Sequence, residues 1–337
     1  MANASNTPQA EVLVAHELRK SYGARHALQG LTFSLRAGRI MGFLGPNGAG
    51  KTTSIRILTT MLDPESGHFV VDGITSDHPS RIRRRIGVLP ENLGFPKHMT
   101  GREYLVFFGQ LNGLTTTDAR ARAVALLEDV GMQRRGGSLI GTYSHGMRQR
   151  LGIARALVND PVVVFLDEPT LGLDPRGQQE LLDLIRRIAR ERATGIVLCS
   201  HLLSEIENVC DDVIILNDGE VVAQGTVAEV IGGDHAATAR GSALRVQVPA
   251  EAVARAKQAI ETAMPALVTV DAVGEADGGW LRVELVGSAT GDESRTPMMN
   301  NDILGAIIGI DVPILRFEVE GSRLHDVFLN LTGGTIG

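Results

Sequence analysis

The sequence predicts an α/β protein: a parallel sheet with crossover helices, joined to a smaller unit that mixes strands and helices. Val162–Leu166 is a continuous apolar run, and Arg39–Leu44 and Gly195–Cys199 read as further buried strands. The helical stretch Gln178–Arg192 separates two of them, and strand–helix–strand alternation implies parallel neighbours. The length, 337 residues, exceeds one typical domain and suits two.

In chain order, Val12, Val14, His16 and Leu18 repeat with period two, as do Leu31, Phe33 and Leu35, which predicts half-buried strands of an antiparallel sheet. Arg39–Leu44 runs straight into a glycine-rich loop, and Thr52–Thr60 reads as the helix that follows. Asp63–Gly67 is turn chemistry, and His68–Asp72 a short strand. The helical period dominates from about Met99 to Asp160, broken at Gly113 and Gly136–Gly137. Asp211–Gln224 predicts a hairpin around Asp218–Gly219, and Thr226 with Glu229 forms a capping-box pattern for one more helix. These elements define a first domain over residues 11–232. Residues 233–241, small and polar without periodicity, read as a linker. Over 242–333 the order is strand (Leu244–Val248), helix (Ala250–Met264), strand (Val268–Val273), strand (Trp280–Val286), helix (Asn301–Ile308) and strand (Ile314–Val319). That order predicts a small α+β ferredoxin-like domain, with a loop at 287–296 and a closing helix carrying Leu324, Val327, Phe328 and Leu331 on one face.

Composition narrows the class. Apolar residues make up 43% of the chain, enough for real cores. A net charge of −6 gives no reason to expect a nucleic-acid partner. No apolar stretch reaches the eighteen or so residues needed to span a bilayer, and Met1–Gln9 lacks the pattern of a signal sequence. Cys199 and Cys210 have neither metal nor redox spacing and read as reduced thiols, which fits the cytoplasm. The arginines at 81, 83, 84 and 85 read as a solvated helix face, with lipid headgroups as the alternative.

Two motifs carry chemistry. Gly45, Pro46, Asn47, Gly48, Ala49, Gly50, Lys51 and Thr52 fit G-x-x-x-x-G-K-[ST] between a strand and a helix. Glycines let backbone N–H groups turn toward phosphate, and the helix N-terminus adds its positive dipole end. Lys51 then reaches the β- and γ-phosphates of ATP, and the Thr52 hydroxyl binds Mg²⁺, with Thr53 beside it. The second motif is Asp167-Glu168 at the end of the apolar strand. Paired carboxylates there are costly unless a cation awaits them, and the carboxyl end of a parallel strand is where such sheets bind ligands. Asp167 is the expected Mg²⁺ ligand, and Glu168 the group that polarises the attacking water.

Tyr143-Ser144-His145-Gly146-Met147-Arg148-Gln149 precedes that strand, with Leu171-Gly172-Leu173-Asp174 and His201 after it. In this order the motifs resemble those of the ATP-binding subunit of an ABC transporter, over about Glu11–Gly232. The resemblance implies a P-loop NTPase of ABC type, with a RecA-like core, an antiparallel β subdomain and an α-helical subdomain. It implies a homodimer closing around two MgATP and a separate integral membrane permease subunit, at the inner face of the cell membrane. By the same resemblance Tyr22 stacks on adenine, Ser144 and Gly146 meet the γ-phosphate of ATP held by the opposite subunit, Asp174 lies at the dimer seam, and His201 contacts the γ-phosphate and the water. The C-terminal domain and the ending Leu324–Gly333 resemble the exporter branch that includes drug, lipid, sodium and gliding-motility systems.

This chain departs from the family pattern twice. Glu91, in Leu89-Pro90-Glu91-Asn92, stands where many members carry glutamine, and a carboxylate serves Mg²⁺ at least as well. His145 and Met147 replace a glycine and a glutamine in the signature segment, and His145 reads as a tolerated surface side chain. The rival reading is a soluble ABC ATPase acting on ribosomes or nucleic acid. Such proteins typically carry paired ATPase units, a long coiled coil or zinc-finger insertions, and this chain has none of these. For the C-terminal domain, a dimer-stabilising cap and a small-ligand sensor both remain open.

Overall fold

The computed structural model describes residues 10–91, 94–200, 202–232, 244–264, 268–275, 278–285, 296–319 and 324–332. The chain divides into two compact units, residues 1–227 and 228–334. The predicted linker at 233–241 lies outside the described residues, as does the loop at 287–296 except for Thr296.

The first unit is built on two sheets. One is antiparallel, ordered β2-β1-β4-β5, from β1 (Glu11–Tyr22), β2 (Arg25–Arg36), β4 (Ser66–Val71) and β5 (Ile74–Thr75). The other is ordered β10-β9-β3-β8-β7-β6, from β3 (Ile40–Leu44), β6 (Ile86–Leu89), β7 (Val163–Asp167), β8 (Gly195–Cys199), β9 (Asp212–Asn217) and β10 (Glu220–Thr226). All its pairings are parallel except the β9–β10 hairpin. That hairpin turns through Asp218 and Gly219, both at positive φ (46° and 82°), the backbone that a two-residue Asp-Gly turn adopts. One core joins the sheets: Leu13, Leu31, Phe33 and Leu35 meet Phe43, Phe165 and Val197, with Ile57 and Leu58 from α1 (Lys51–Leu58). Phe33 and Phe43 pack edge to face at 5.4 Å.

The buried face of β1 differs from the period-two expectation. Leu13, Ala15 and Leu18 are fully buried, whereas Val14 is half-buried and His16 exposed. The ladder slips between Ala15 and Leu18, where Glu17 takes φ 49° and donates its N–H to Thr32 Oγ1 at 2.8 Å. A bulge there inserts one residue and switches the face, so a uniform alternation through Val14, His16 and Leu18 does not hold.

Helical elements fill the middle of the unit. They are α2 (Pro79–Ile82), α3 (Gly101–Leu111), α4 (Thr116–Asp129), a single 3-10 turn at Ile140–Thr142 and α5 (His145–Ala156). After β7 come α6 (Pro175–Arg192) and α7 (Leu203–Val209). Strand β6 has no counterpart in the sequence expectation. It is four residues long, between an arginine run and Pro90, and too short to establish a period. Helix α5 comes so close to it that a Cβ on Gly87 would sit 2.1 Å from the Ala156 carbonyl oxygen.

Helix α8 (Val227–Gly232) opens the second unit. It continues with β11 (Leu244–Val248), α9 (Val253–Ala263), β12 (Val268–Glu275), β13 (Gly278–Leu285), α10 (Thr296–Ile308), β14 (Arg316–Val319) and α11 (Leu324–Thr332). Its sheet is antiparallel in the order β12-β13-β11-β14, the ferredoxin-like arrangement that the element order implies. Leu244, Val246, Ala256, Ile260, Leu281 and Ile303 form its core.

Candidate functional site

The loop between β3 and α1 rests on backbone that favours glycine. Gly50 has φ 112°, and a Cβ there would stand 2.5 Å from the Ala27 carbonyl oxygen; Gly45 has φ 153°, with Leu216 O at 2.4 Å from the same hypothetical atom. Any side chain at either position would push the loop away from strands β2 and β9. Two further bonds dock the loop. Arg25 Nη2 donates to Gly48 O at 2.8 Å, and Gly219 N donates to Ala49 O at 3.1 Å. Pro46, Asn47 and Gly48 form the outer rim, and Asn47 and Gly48 are exposed.

Lys51 opens α1, and its Nζ donates back to Gly45 O and, at 3.2 Å, to Pro46 O. Burial lowers its pKa, opposed by the nearby Glu168 and Asp167 carboxylates. Burial also pushes the Cys199 thiol far up, so this neighbour is neutral and offers Lys51 no charge. Thr52 follows in the first turn with its side chain exposed, and Thr53 is half-buried.

Asp167 ends β7, paired in register with Cys199 of β8. Burial raises its pKa, reinforced by Glu168 and Glu91 and opposed by Lys51 and Arg56. Glu168 takes φ 48°, a left-handed conformation that costs a non-glycine residue roughly 1–3 kcal/mol. Its N–H remains bonded to Cys199 O at 3.0 Å, so the chain bends away from the sheet at that residue. Short β6 delivers Glu91 to the same neighbourhood. Three carboxylates therefore gather around Lys51 and Arg56, a surplus of negative charge that a divalent cation would offset. Among the described residues no three His, Cys, Asp or Glu form a metal cluster of their own. Hard carboxylate oxygens of this kind suit a divalent cation such as Mg²⁺ that draws its remaining ligands from elsewhere.

Tyr22 lies at the tip of the β1–β2 hairpin, 49% exposed, three residues before the arginine that grips Gly48. Ser144 caps α5: its Oγ accepts from Met147 N at 3.3 Å, and Gly146 lies in the first turn. Asp174 holds the N-cap position of α6. Ser144, Gly146 and Asp174 line one cavity of about 430 Å³ together with His145, Gly172 and Glu180. None of residues 45–53 lines it. The single chain thus brings Lys51, Asp167, Glu168 and Glu91 together, and none of these four lines the cavity of Ser144, Gly146 and Asp174. His201 lies outside the described residues.

Two side chains near the site go beyond the sequence reading. Glu205, 4% exposed, accepts through Oε2 from Ser200 Oγ at 2.7 Å and Thr170 Oγ1 at 2.8 Å. The available sign was an acid beside Ile206 and Val209 on the buried stripe of a short helix. His145 is exposed, as expected of a surface side chain, yet its Nε2 lies 2.8 Å from the Leu171 carbonyl oxygen.

Residues 28–171 match the family model described as ABC transporter. The linearmycin resistance ATP-binding protein of Bacillus subtilis is 30% identical over 329 residues, spanning 96% of this chain and 99% of that protein. The daunorubicin/doxorubicin resistance ATP-binding protein of Streptomyces peucetius is 34% identical over 330 residues, spanning 97% and 94%. Among solved structures, cbiO1 of Clostridium perfringens, part of an ABC transporter complex, superposes with a TM-score of 0.61 at 29% identity, covering 66% of this chain and 92% of that one. An ATP-binding subunit of an ABC transporter superposes at 0.57 with 31% identity, covering 65% and 91%.

Proposed function

The chain belongs to the ATP-binding subunits of ABC transporters, and from that premise we propose that two copies close around two ATP molecules to drive a separate membrane-spanning subunit. It is an ATPase of the P-loop class. Among the described residues no helix is long and apolar enough to cross a membrane, so the pathway for cargo is assigned to a partner. Both relatives named above carry resistance to a toxic compound in their names, which supports outward transport. The location that follows is the inner face of the cell membrane.

One observation carries the two-copy reading: no residue of the phosphate loop lines the Ser144–Gly146–Asp174 groove of the same chain. A groove floored by a helix N-terminus suits a γ-phosphate, and a second copy supplies one. In the assigned roles, loop amides 45–53 and Lys51 hold the phosphates and draw charge from the γ-phosphoryl group as it transfers. Thr52, Asp167 and Glu91 hold Mg²⁺, which neutralises charge on the phosphate oxygens when bound. Glu168 orients water for in-line attack, assisted by His201, and Tyr22 stacks on adenine. Closure follows from ATP touching both copies at once, and release from loss of the γ-phosphate contacts.

The test uses the full chain carrying Glu168→Gln, which should retain ATP while hydrolysis slows. Light scattering should report a monomer without nucleotide, a dimer with MgATP and a monomer with MgADP. A variant that binds ATP stoichiometrically and stays monomeric at high protein concentration would overturn the two-copy reading.

A further inference from the structure

His145 occupies the first position of α5, and its Nε2 lies 2.8 Å from the carbonyl oxygen of Leu171, in the loop between β7 and α6. A carbonyl only accepts, so Nε2 carries the proton and donates; the imidazolium would donate equally, and the link requires no particular charge state. The Gln149 amide nitrogen sits 3.4 Å from the same nitrogen, and because both then carry protons it does not compete for the Nε2–H. The ring also covers Gly172, where a Cβ would stand 3.6 Å from Nε2. One residue earlier in the loop, Thr170 Oγ1 donates to Glu205, which accepts Ser200 Oγ as well. A continuous chain of contacts therefore runs from the N-terminus of α5, through Leu171, Thr170 and Glu205, to Ser200 just past β8.

We propose that His145 is a positioning residue: by binding the Leu171 carbonyl it makes the α5 N-terminus and the loop 168–174 one rigid face for the second copy's nucleotide. This rests on the two-copy reading above. Both walls of the Ser144–Asp174 cavity belong to that face; Arg150 of α5 pairs with Glu180 of α6 at 3.2 Å, and His145 is the side chain that ties α5 to the loop carbonyl. A glycine here would remove the tie between α5 and the Leu171 carbonyl, leaving the Arg150–Glu180 pair to hold α5 against α6. The loop also begins at Glu168, so the same link bears on where that carboxylate stands.

The experiment compares the full chain with His145→Ala and His145→Gln, whose amide nitrogen is separated from Cα by as many bonds as Nε2. Three quantities are read: kcat for MgATP, the ATP concentration that half-dimerises the Glu168→Gln background, and binding of a fluorescent ATP analogue at dilutions where the chain is monomeric. His145→Ala should lower kcat and raise the half-dimerisation concentration, each roughly 2- to 12-fold, the range one net hydrogen bond sets. Monomer binding of the analogue should be unchanged, and His145→Gln should restore most of the loss. Unchanged kcat and dimerisation in His145→Ala would overturn the proposal. So would a loss that glutamine does not restore, or weaker analogue binding by the monomer, because each marks a general structural role. If the Glu168→Gln parent itself never pairs with ATP, the two-copy reading fails first, and the failure is visible before any His145 variant is compared.

Discussion

Thr170→Val tests the buried network beneath the loop 168–174. Thr170 and Ser200 are each 1% exposed, and both hydroxyls donate to the same oxygen of Glu205, at 2.8 and 2.7 Å. The other oxygen, Oε1, has no partner among the described residues, so the carboxylate depends on those two bonds. Valine keeps the shape of threonine and removes one donor. A hydrogen bond to a charged group contributes about 1.5–3 kcal/mol net, and a neutral one about 0.5–1.5 kcal/mol. Thr170→Val should therefore destabilise by about 1.5–3 kcal/mol in the wild-type chain, and by only about 0.5–1.5 kcal/mol in a Glu205→Gln background. At about 2–4 °C per kcal/mol for a unit of this size, the single variant loses roughly 3–12 °C in Tm. Far-UV circular dichroism is the suitable probe, because the sole tryptophan, Trp280, belongs to the second unit and would not follow the first. An equal loss in the wild-type and Glu205→Gln backgrounds, or a loss under about 0.5 kcal/mol, would refute the charge-dependent network.

Other expectations follow from the site. Asp167→Asn should stabilise the nucleotide-free chain at neutral pH while abolishing Mg²⁺-dependent hydrolysis. The folded pKa lies above the ordinary 3.8, so between the two values the native state holds a proton that the unfolded chain releases, and above both the buried carboxylate carries its full cost. Stability is lost as pH rises from that value through the folded pKa, and the variant's advantage should vanish in denaturation series run below 3.8. Tyr22→Ala should weaken ATP binding roughly 5- to 150-fold, the range for one stacked base, with Tyr22→Phe near wild type in a fluorescence titration. Arg25→Ala, which frees the Gly48 carbonyl, should raise the Kd for ATP roughly 2- to 12-fold in the same titration. Glu168→Gln should keep ATP and lose roughly 10²–10⁴-fold in kcat measured by phosphate release.

Much of the fold is readable because its determinants are local. The β9–β10 turn is an Asp-Gly pair, β7 is an apolar run up to its last residue, Asp167, and the two-sheet first unit and four-stranded second sheet follow from element order. Misreadings fall where a single backbone angle or a very short element decides. Glu17 at φ 49° reverses the buried face of β1 without any residue type that announces a bulge, because glutamate is an ordinary occupant of an exposed strand position. Strand β6 owes its existence to parallel pairing with β7 from Ile86 to Leu89, a non-local interaction that four residues cannot advertise.

The site divides along a similar line. Lys51, Asp167 and Glu168 are legible because their chemistry demands particular residue types at particular spacings. Their placement is not, because it depends on backbone carbonyls, which every residue carries. Cys199 O holds the N–H of Glu168, Leu171 O receives His145, and Gly48 O receives Arg25. No pattern marks those acceptors, and the donors His145 and Arg25 look like surface residues until the fold brings them across 26 and 23 positions of sequence. The left-handed Glu168 makes such fastening necessary. A strained residue persists only where its surroundings over-determine it. Here the bond to β8 fixes the start of the loop, Glu205 fixes Thr170 from within, and His145 fixes Leu171 from the outer face. Loosening any one should leave ATP binding at the phosphate loop intact and reduce turnover, since the strain is then relieved by moving Glu168 rather than by moving phosphate.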